Sequence, residues 1–455
     1  MLNDFGKVIA DKKLLAQLSD FYTGIEVEMD RVDQNGRLST DPYPKELGNQ
    51  ATNPWITNDY LESMSEVVTP PAKNALDALQ YLYGINGVLR NALNHEQYLW
   101  PLSMPPILPK HKTKAILAKA GGEKEKYLKQ IFDRRGLSVG TPNGVHVNMS
   151  VKDDVLNPLY HNLKDQYPNK AKLKDRLYII VAQGFMRYRW LLTYLFGASP
   201  LAEKNYFESN HQPGHYVRSL RQSSTYGFVD PVAGDYSSVS NYAKRILDSV
   251  ADHKLLRDAE FHGAVRLKGD SDLHQLPKNG VHYIELRMLD LDPSSLVGVR
   301  NDTLLFFRFL MTYFIMNQPL KTSSVNDVLA EADKRNEEVT LESPLSKCKY
   351  YEEGLQFIKQ LRTFASKFQV GPDLKEMLSD MEFRLNHPRM TPSGRLLDHI
   401  RNHSLLDYGM MRAKEYQKYA LESNYKYQGF KDKHGLVSED ELKKHLFNGS
   451  WDFES

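Results

Sequence analysis

Glu26 and Glu28 stand one residue apart in the run GIEVEMD, residues 24–30. A strand sends alternate side chains to opposite faces, so both carboxylates point one way while Ile25 and Val27 pack behind them. Two like charges on one face repel, and burying them without partners is costly. Something positive has to sit opposite. Three other segments repeat the theme. In DYLESMSE (59–66), Asp59, Glu62 and Glu66 fall at i, i+3 and i+7, one face of a helix; alone, such a pattern is more often a solvated acidic face. In GVHVNMS (144–150), His146 and Asn148 share a strand face, where a lone histidine is more often structural than a ligand. In HYIELRMLD (282–290), Tyr283, Glu285 and Arg287 share one face and Ile284, Leu286 and Met288 the other, a pattern equally open to a half-buried strand with a neighbouring ion pair.

None of these signals is specific alone. Together they point to oxygen-rich ligation of a hard cation. Carboxylates with one imidazole suit Mg²⁺ or Mn²⁺ better than zinc, which favours cysteine and histidine. The positive charge facing Glu26 and Glu28 is then expected to be metal. A basic set complements it: Arg221, Arg266, Lys268 and Arg287 lie in or beside strand-like segments. Mg²⁺ with arginine and lysine is equipment for holding polyphosphate and stabilising a transferring phosphoryl group; surface salt bridging is the competing reading of the basic set. There is no Walker A and no GxGxxG motif, so a P-loop or Rossmann site is unsupported.

The elements that must position these residues are mixed. Residues 1–23 read as a helix leading into the first strand, and NGR (35–37) as a turn. Residues 59–66 and 74–97 have helical apolar spacing, WPLSMPPILP (100–109) is proline-punctuated extended chain, and 144–151 alternates like a strand. Residues 172–196 look helical, 260–269 and 280–293 strand-like, 301–366 helical, and the last ninety or so mostly helical and highly charged. Without a regular βαβ beat, the expected class is α+β with a largely antiparallel sheet. Neither repeats, low-complexity tracts nor Gly/Ser linkers interrupt the chain, which reads as one domain, 1–455, with a sheet-bearing core over about 22–300 and a helical part over about 301–455.

Bulk properties exclude little more. The 59 basic and 57 acidic residues give a net charge of +2, no electrostatic reason to expect nucleic acid or an anionic membrane as partner. The apolar stretches 178–200 and 303–316 carry Arg187, Arg189 and Arg308, so they read as core helices; a span needs about 20 mostly uncharged residues. The N-terminus lacks a signal-peptide apolar region. One cysteine, Cys348, rules out an internal disulfide and fits a cytoplasmic setting; it falls in a polar stretch expected to be an exposed helix and receives no catalytic role. YLESNYKYQGFKDK (420–433) is basic and aromatic, most simply a solvated helix face or loop.

The segments GIEVEMDRV, GRLSTDPYPKELG, NPWITNDYLESMSEVVTPP, LWPLSMPPILP, GVHVNMS, RYRWLLTYLFGASP, SLRQS, VRLK and GVHYIELRMLDLDP, in this order over roughly 22–300, resemble the glutamate–cysteine ligase (γ-glutamylcysteine synthetase) family, in the bacterial form also found as the front half of bifunctional glutathione-synthesising enzymes. HPRMTPSGRLLDHIR (387–401) is a weaker match. The resemblance implies a glutamine-synthetase-like fold, a curved antiparallel sheet forming a funnel wrapped by helices. It implies a ligase joining the γ-carboxylate of L-glutamate to the amine of L-cysteine with ATP and Mg²⁺, the first step of glutathione synthesis. The family's metal-binding acids match Glu26, Glu28, Asp59, Glu66 and Glu285, with His146 the imidazole ligand and Glu62 behind them. Its nucleotide and acyl-phosphate residues match Arg266, Lys268 and Arg287; Arg221 matches an arginine near the substrates, with a catalytic role assigned to it and Arg287. Tyr60, Tyr127 and Phe261 match the acceptor pocket.

The chain departs from the family pattern at four places. Val27 stands where the family often has arginine, and glutamine is replaced near Gly140. The pocket tyrosine after Arg221 is Tyr226, Phe228 or absent, and a tyrosine before the Arg-x-Lys strand is Phe261. These changes open the alternative of a γ-glutamyl ligase for another amine. A non-catalytic binding paralogue is the third reading, against which all six metal-site candidates remain. At 455 residues there is no room for a second, ATP-grasp domain, so synthesis is expected to stop at the dipeptide.

Overall fold

A computed structural model describes residues 1–111, 115–207, 211–227, 231–270 and 272–422. Its centre is an antiparallel sheet of β1 (Tyr22–Val32), β2 (Ile56–Asn58), β3 (Met64–Val68), β4 (Tyr98–Leu99), β5 (Val145–Ser150), β6 (Val265–Lys268) and β7 (Tyr283–Leu289). The strand order is β2-β3-β1-β5-β7-β6, with β4 joined to the far end of β1. This is the α+β, antiparallel arrangement expected from the sequence. β1 is the longest strand and pairs with both β3 and β5.

Period-two alternation splits the sheet into two chemically different faces. Ile25, Val27, Val67, Val147, Leu267, Ile284 and Leu286 are buried on one face. They merge there with the helices Ala75–Ala92, Lys170–Arg187 and Asn301–Met316 into a contiguous core reaching from Phe5 to Tyr416. The other face carries the acids, His146 and the basic residues. Register brings them together: Glu28 is directly opposite Glu66, Glu26 opposite His146, and Glu285 opposite both Asn148 and Arg266.

Helix ends follow local chemistry. Asn74 and Asn169 cap the helices Ala75–Ala92 and Lys170–Arg187 by accepting from the backbone N–H groups of Asp77 and Lys172. The following helix, Arg189–Phe196, stops at Gly197, where a Cβ would lie 2.6 Å from the Thr193 carbonyl oxygen. In Asn301–Met316, buried on nearly every side, the Arg308 guanidinium donates to the carbonyls of Ser19 (2.7 Å), Phe21 (2.8 Å) and Lys73 (3.1 Å). The charge that interrupts this apolar run is thereby used to tie helix to sheet. No helix among the described residues is long and apolar enough to cross a membrane.

Four expectations are corrected. Residues 1–23 form two helices, Asp4–Asp11 and Leu15–Ser19, broken where Lys13 takes a left-handed conformation (φ 55°). Residues 59–66 are not a helix: Asp59–Ser63 form the turn between β2 and β3, and Glu66 is on β3. The i, i+3, i+7 spacing was coincident with a hairpin, and a short apolar run cannot separate the two periods. Glu62 consequently points away from the acids. It accepts from the N–H groups of Tyr43 (3.1 Å) and Lys119 (2.9 Å) and pins two connecting segments. Cys348 is buried in the connection before helix Tyr351–Lys367, and burial pushes its thiol up to about 12. The 301–366 stretch resolves into Asn301–Met316, Val325–Leu341 and Tyr351–Lys367. The final described helix, Leu406–Glu422, packs back on Ala75–Ala92, where Gln417 donates to the Arg90 carbonyl (2.8 Å). Most of the 420–433 segment lies outside the described residues.

Candidate active site

The polar face of the sheet floors a cavity of about 470 Å³. All thirteen candidates from the sequence line it: the acids and His146, the four basic residues, and Tyr60, Tyr127 and Phe261.

At the acidic pole, Glu26 accepts from Asn148 Nδ2 (2.7 Å), and its other oxygen is 3.2 Å from His146 Nδ1. Glu28 Oε2 accepts from the Gly144 N–H (2.8 Å), and its Oε1 is 3.7 Å from His146 Nε2. Ligand atoms of Glu26, Glu66 and His146 lie within 4.8 Å of one another. Burial, then the Asp59 charge, holds the Glu66 carboxyl well above its usual range, and burial also raises Glu28. Glu26 is lowered, because its hydrogen bond with His146 and nearby positive charge outweigh burial.

The basic pole is centred on Glu285. Its carboxylate bonds Arg287, with Lys268 Nζ at 3.2 Å and Arg266 Nη1 at 3.6 Å. Burial alone would raise this carboxyl; the Arg287, Arg266 and Lys268 charges outweigh it and hold it well below its usual range. Arg287 Nη1 also reaches His146 Nδ1 (3.2 Å), linking the poles. Arg221 lies above Gly144, with Nη1 donating to the carbonyls of Leu289 (3.0 Å) and Arg287 (3.2 Å), so β7 backbone holds its guanidinium in place.

The acids therefore divide. Glu28 and Glu66 are short of positive charge, whereas Glu285 is well supplied. His146 Nε2 is buried without a hydrogen-bond partner, as is Glu285 Oε2. An oxygen-rich set with one imidazole, an orphaned ring nitrogen and two charge-starved carboxylates fits a hard divalent cation.

Away from the sheet, Tyr60 donates to the Gly136 carbonyl (3.2 Å), and its ring fills the space a side chain at Gly140 would enter, 2.4 Å from a Cβ placed there. The Arg257 guanidinium stacks 3.6 Å from the Tyr127 ring centroid; burial pushes the Tyr127 phenol up to about 12. Phe261 is buried, with its ring edge-on to Tyr242. Val27 faces the helical core. Tyr226 is not among the lining residues, and Phe228 lies outside the described residues. Sequence reasoning missed Lys124, Arg135, Arg189, Arg257, Asp333 and Asn336, which also line the cavity. They come from helices and loops with no strand-like alternation to single them out.

Comparison with known proteins places this architecture. A bifunctional glutathione synthetase from Pasteurella multocida superposes with a TM-score of 0.85 at 28% identity, covering 92% of this chain and 55% of that one. A glutamate–cysteine ligase from Francisella tularensis, solved with AMP, shares the fold at a TM-score of 0.81 and 22% identity, covering 94% and 93%. The family model for glutamate–cysteine ligase matches residues 7–246 and 215–339, and the chain belongs to that family. The glutathione biosynthesis bifunctional protein of Streptococcus mutans is 32% identical over 414 residues, 90% of this chain and 54% of that protein. The chain spans about half the length of the curated relatives it matches.

Proposed function

We propose that the chain is an ATP-dependent ligase joining the γ-carboxylate of L-glutamate to the amine of L-cysteine, with release of ADP and phosphate, the first step of glutathione synthesis. The observation that carries this reading is the two-pole cavity: Glu26, Glu28, Glu66 and His146 on one side and Arg266, Lys268 and Arg287 around Glu285 on the other, in a chain of the glutamate–cysteine ligase family. The relatives' names and the AMP bound to the Francisella enzyme accord with it.

Glutamate's γ-carboxylate is a poor electrophile. Transfer of the γ-phosphoryl group of ATP to it makes γ-glutamyl phosphate and ADP. Two anions must meet for this, and positive charge must neutralise them. Glu26, Glu28, Asp59, Glu66, His146 and Glu285 would hold Mg²⁺, or Mn²⁺ in its place, which when bound supplies charge neutralisation between polyphosphate and carboxylate. Arg266 and Lys268 reach into the same space and bind phosphate oxygens, with Glu285 fixing their direction. Arg287 holds developing charge on the transferring group. Arg221, clamped by β7, orients a substrate carboxylate. The acceptor amine then attacks the acyl carbon: a C–N bond forms, the C–O bond breaks with its electron pair leaving on phosphate, and the amine proton passes to a carboxylate of the cavity or to the departing phosphate. Tyr60 and Tyr127 wall the acceptor and limit water that would hydrolyse the acyl phosphate. An ATP-consuming reaction and a single cysteine fit the cytoplasm.

The test is ADP release with ATP, Mg²⁺ and L-glutamate across a panel of amino-acid acceptors, with mass spectrometry of the product. γ-Glutamylcysteine, with cysteine the strongest acceptor, is expected. Turnover mainly with another amine would shift the acceptor, a reading motivated by Phe261 and Gly140. ATP binding without turnover on any acceptor would overturn the ligase reading.

A further inference from the structure

One corner of the cavity is not used by the chemistry above. There Arg189, the first residue of helix Arg189–Phe196, faces Asp333 of helix Val325–Leu341. The pair is incompletely made. Arg189 Nη1 is 3.7 Å from Asp333 Oδ1, beyond hydrogen-bond reach. Arg189 Nε and Asp333 Oδ1 are each shut off from solvent with no hydrogen-bond partner. Buried polar atoms are normally satisfied, so a cation and an anion left side by side with free valence need an explanation.

The corner is held rather than loose. Arg189 Nη2 donates to Gln222 Oε1 (3.2 Å). Asn336 accepts from Thr193 Oγ1 (2.7 Å), tying the two helices, and Glu337 accepts from Ser223 Oγ (2.8 Å) and the Ser224 N–H (2.6 Å). These bonds fix the helices to the segment that carries Arg221. Arg189 and Asp333 thus set one guanidinium and one carboxylate side by side on one wall of the cavity. A lone anion would satisfy Arg189 and repel Asp333, and a lone cation the reverse. The complementary ligand is a zwitterion that bears its ammonium and its carboxylate on one carbon.

We propose that Arg189 and Asp333 bind the α-carboxylate and α-ammonium of an α-amino-acid substrate, and so select amino acids over simple acids and amines. The inference rests on the ligase reading. It leaves glutamate and the acceptor as the two sources of that chemistry, which the experiment separates.

The experiment measures KM for glutamate, acceptor and ATP in the wild-type protein and in Arg189→Ala, Arg189→Lys and Asp333→Asn. Loss of a charge-assisted contact should raise KM for one of the two amino acids about tenfold to a hundredfold, with KM for ATP within about twofold. Analogues identify the contact. If the source is glutamate, 4-aminobutyrate, which lacks the α-carboxylate, is penalised in the wild type but no further by Arg189→Ala, and glutarate behaves likewise with Asp333→Asn. If the source is the acceptor, cysteamine shows the same insensitivity to Arg189→Ala. Unchanged KM for both amino acids, or equal penalties for amino acid and truncated analogue, overturns the proposal. If the wild type turns over no acceptor, the ligase reading fails on its own. The corner is then judged by thermal stabilisation with L-glutamate or L-cysteine alone, which the variants must lose for the inference to stand and must retain for it to fall.

Discussion

Glu285 and Glu28 face the same cavity yet carry opposite electrostatic burdens. Glu285 is buried among Arg287, Arg266 and Lys268, which keep it ionised. Glu28 is buried with fewer positive partners, and burial raises its carboxyl. Replacing either by glutamine keeps the shape and removes the charge. Glu285→Gln leaves three cations without their common carboxylate, and Glu28→Gln removes one proposed donor to the metal. Each should lower ATP turnover by about a hundredfold to a thousandfold, as loss of an electrostatic element in a dry site does. Normal turnover in either variant would remove that residue from the metal-site assignment. The two should differ in stability. Removing the Glu28 charge relieves a buried like-charge cluster, so its metal-free melting temperature should not fall. Removing the Glu285 charge strands buried cations and should lower it.

β5 begins at Val145, and the residue before it, Gly144, does two jobs. Its N–H donates to Glu28, and its missing side chain makes room for Arg221. A Cβ there would lie 1.8 Å from Arg221 Nη2. Because Arg221 is held by carbonyls of β7, moving it away from a side chain at 144 breaks those hydrogen bonds. Gly144→Ala should therefore cut kcat/KM by roughly a hundredfold through displacement of Arg221, while circular dichroism remains that of the wild type. Wild-type kinetics in this variant would show that the position of Arg221 is unimportant. The element scale is also where the sequence was hardest to read. The eight residues 59–66, whose acids happen to fit a helical repeat, run through the turn Asp59–Ser63 into the start of the strand Met64–Val68. Only the pairing of Glu66 with Glu28 on β1 chooses the strand.

For the whole molecule, a cation held at the acidic pole would couple ligand binding to folding. A cation that binds the native cluster and not the unfolded chain raises stability by mass action. Adding Mg²⁺ or Mn²⁺ in excess over its dissociation constant should raise the melting temperature of the wild type by several degrees, and a chelator should reverse it. The rise should be absent in Glu28→Gln. An equal rise in the variant would place the cation elsewhere. What the sequence determined by itself was the alternation: Glu26/Glu28, His146/Asn148 and Glu285/Arg287 had to share strand faces, because a period of two is a local property of the backbone. Their residue types pointed to a hard cation and phosphate. Tertiary structure decided what no local rule contains. It brought Arg189 and Asp333, 144 positions apart by their numbering, to one wall. It turned Glu62 away to hold connecting segments, buried Cys348, and gave Glu285 three cations while leaving Glu28 and Glu66 short. Those outcomes depend on long-range packing and desolvation, which exist only once the sheet and its helices have closed around the cavity.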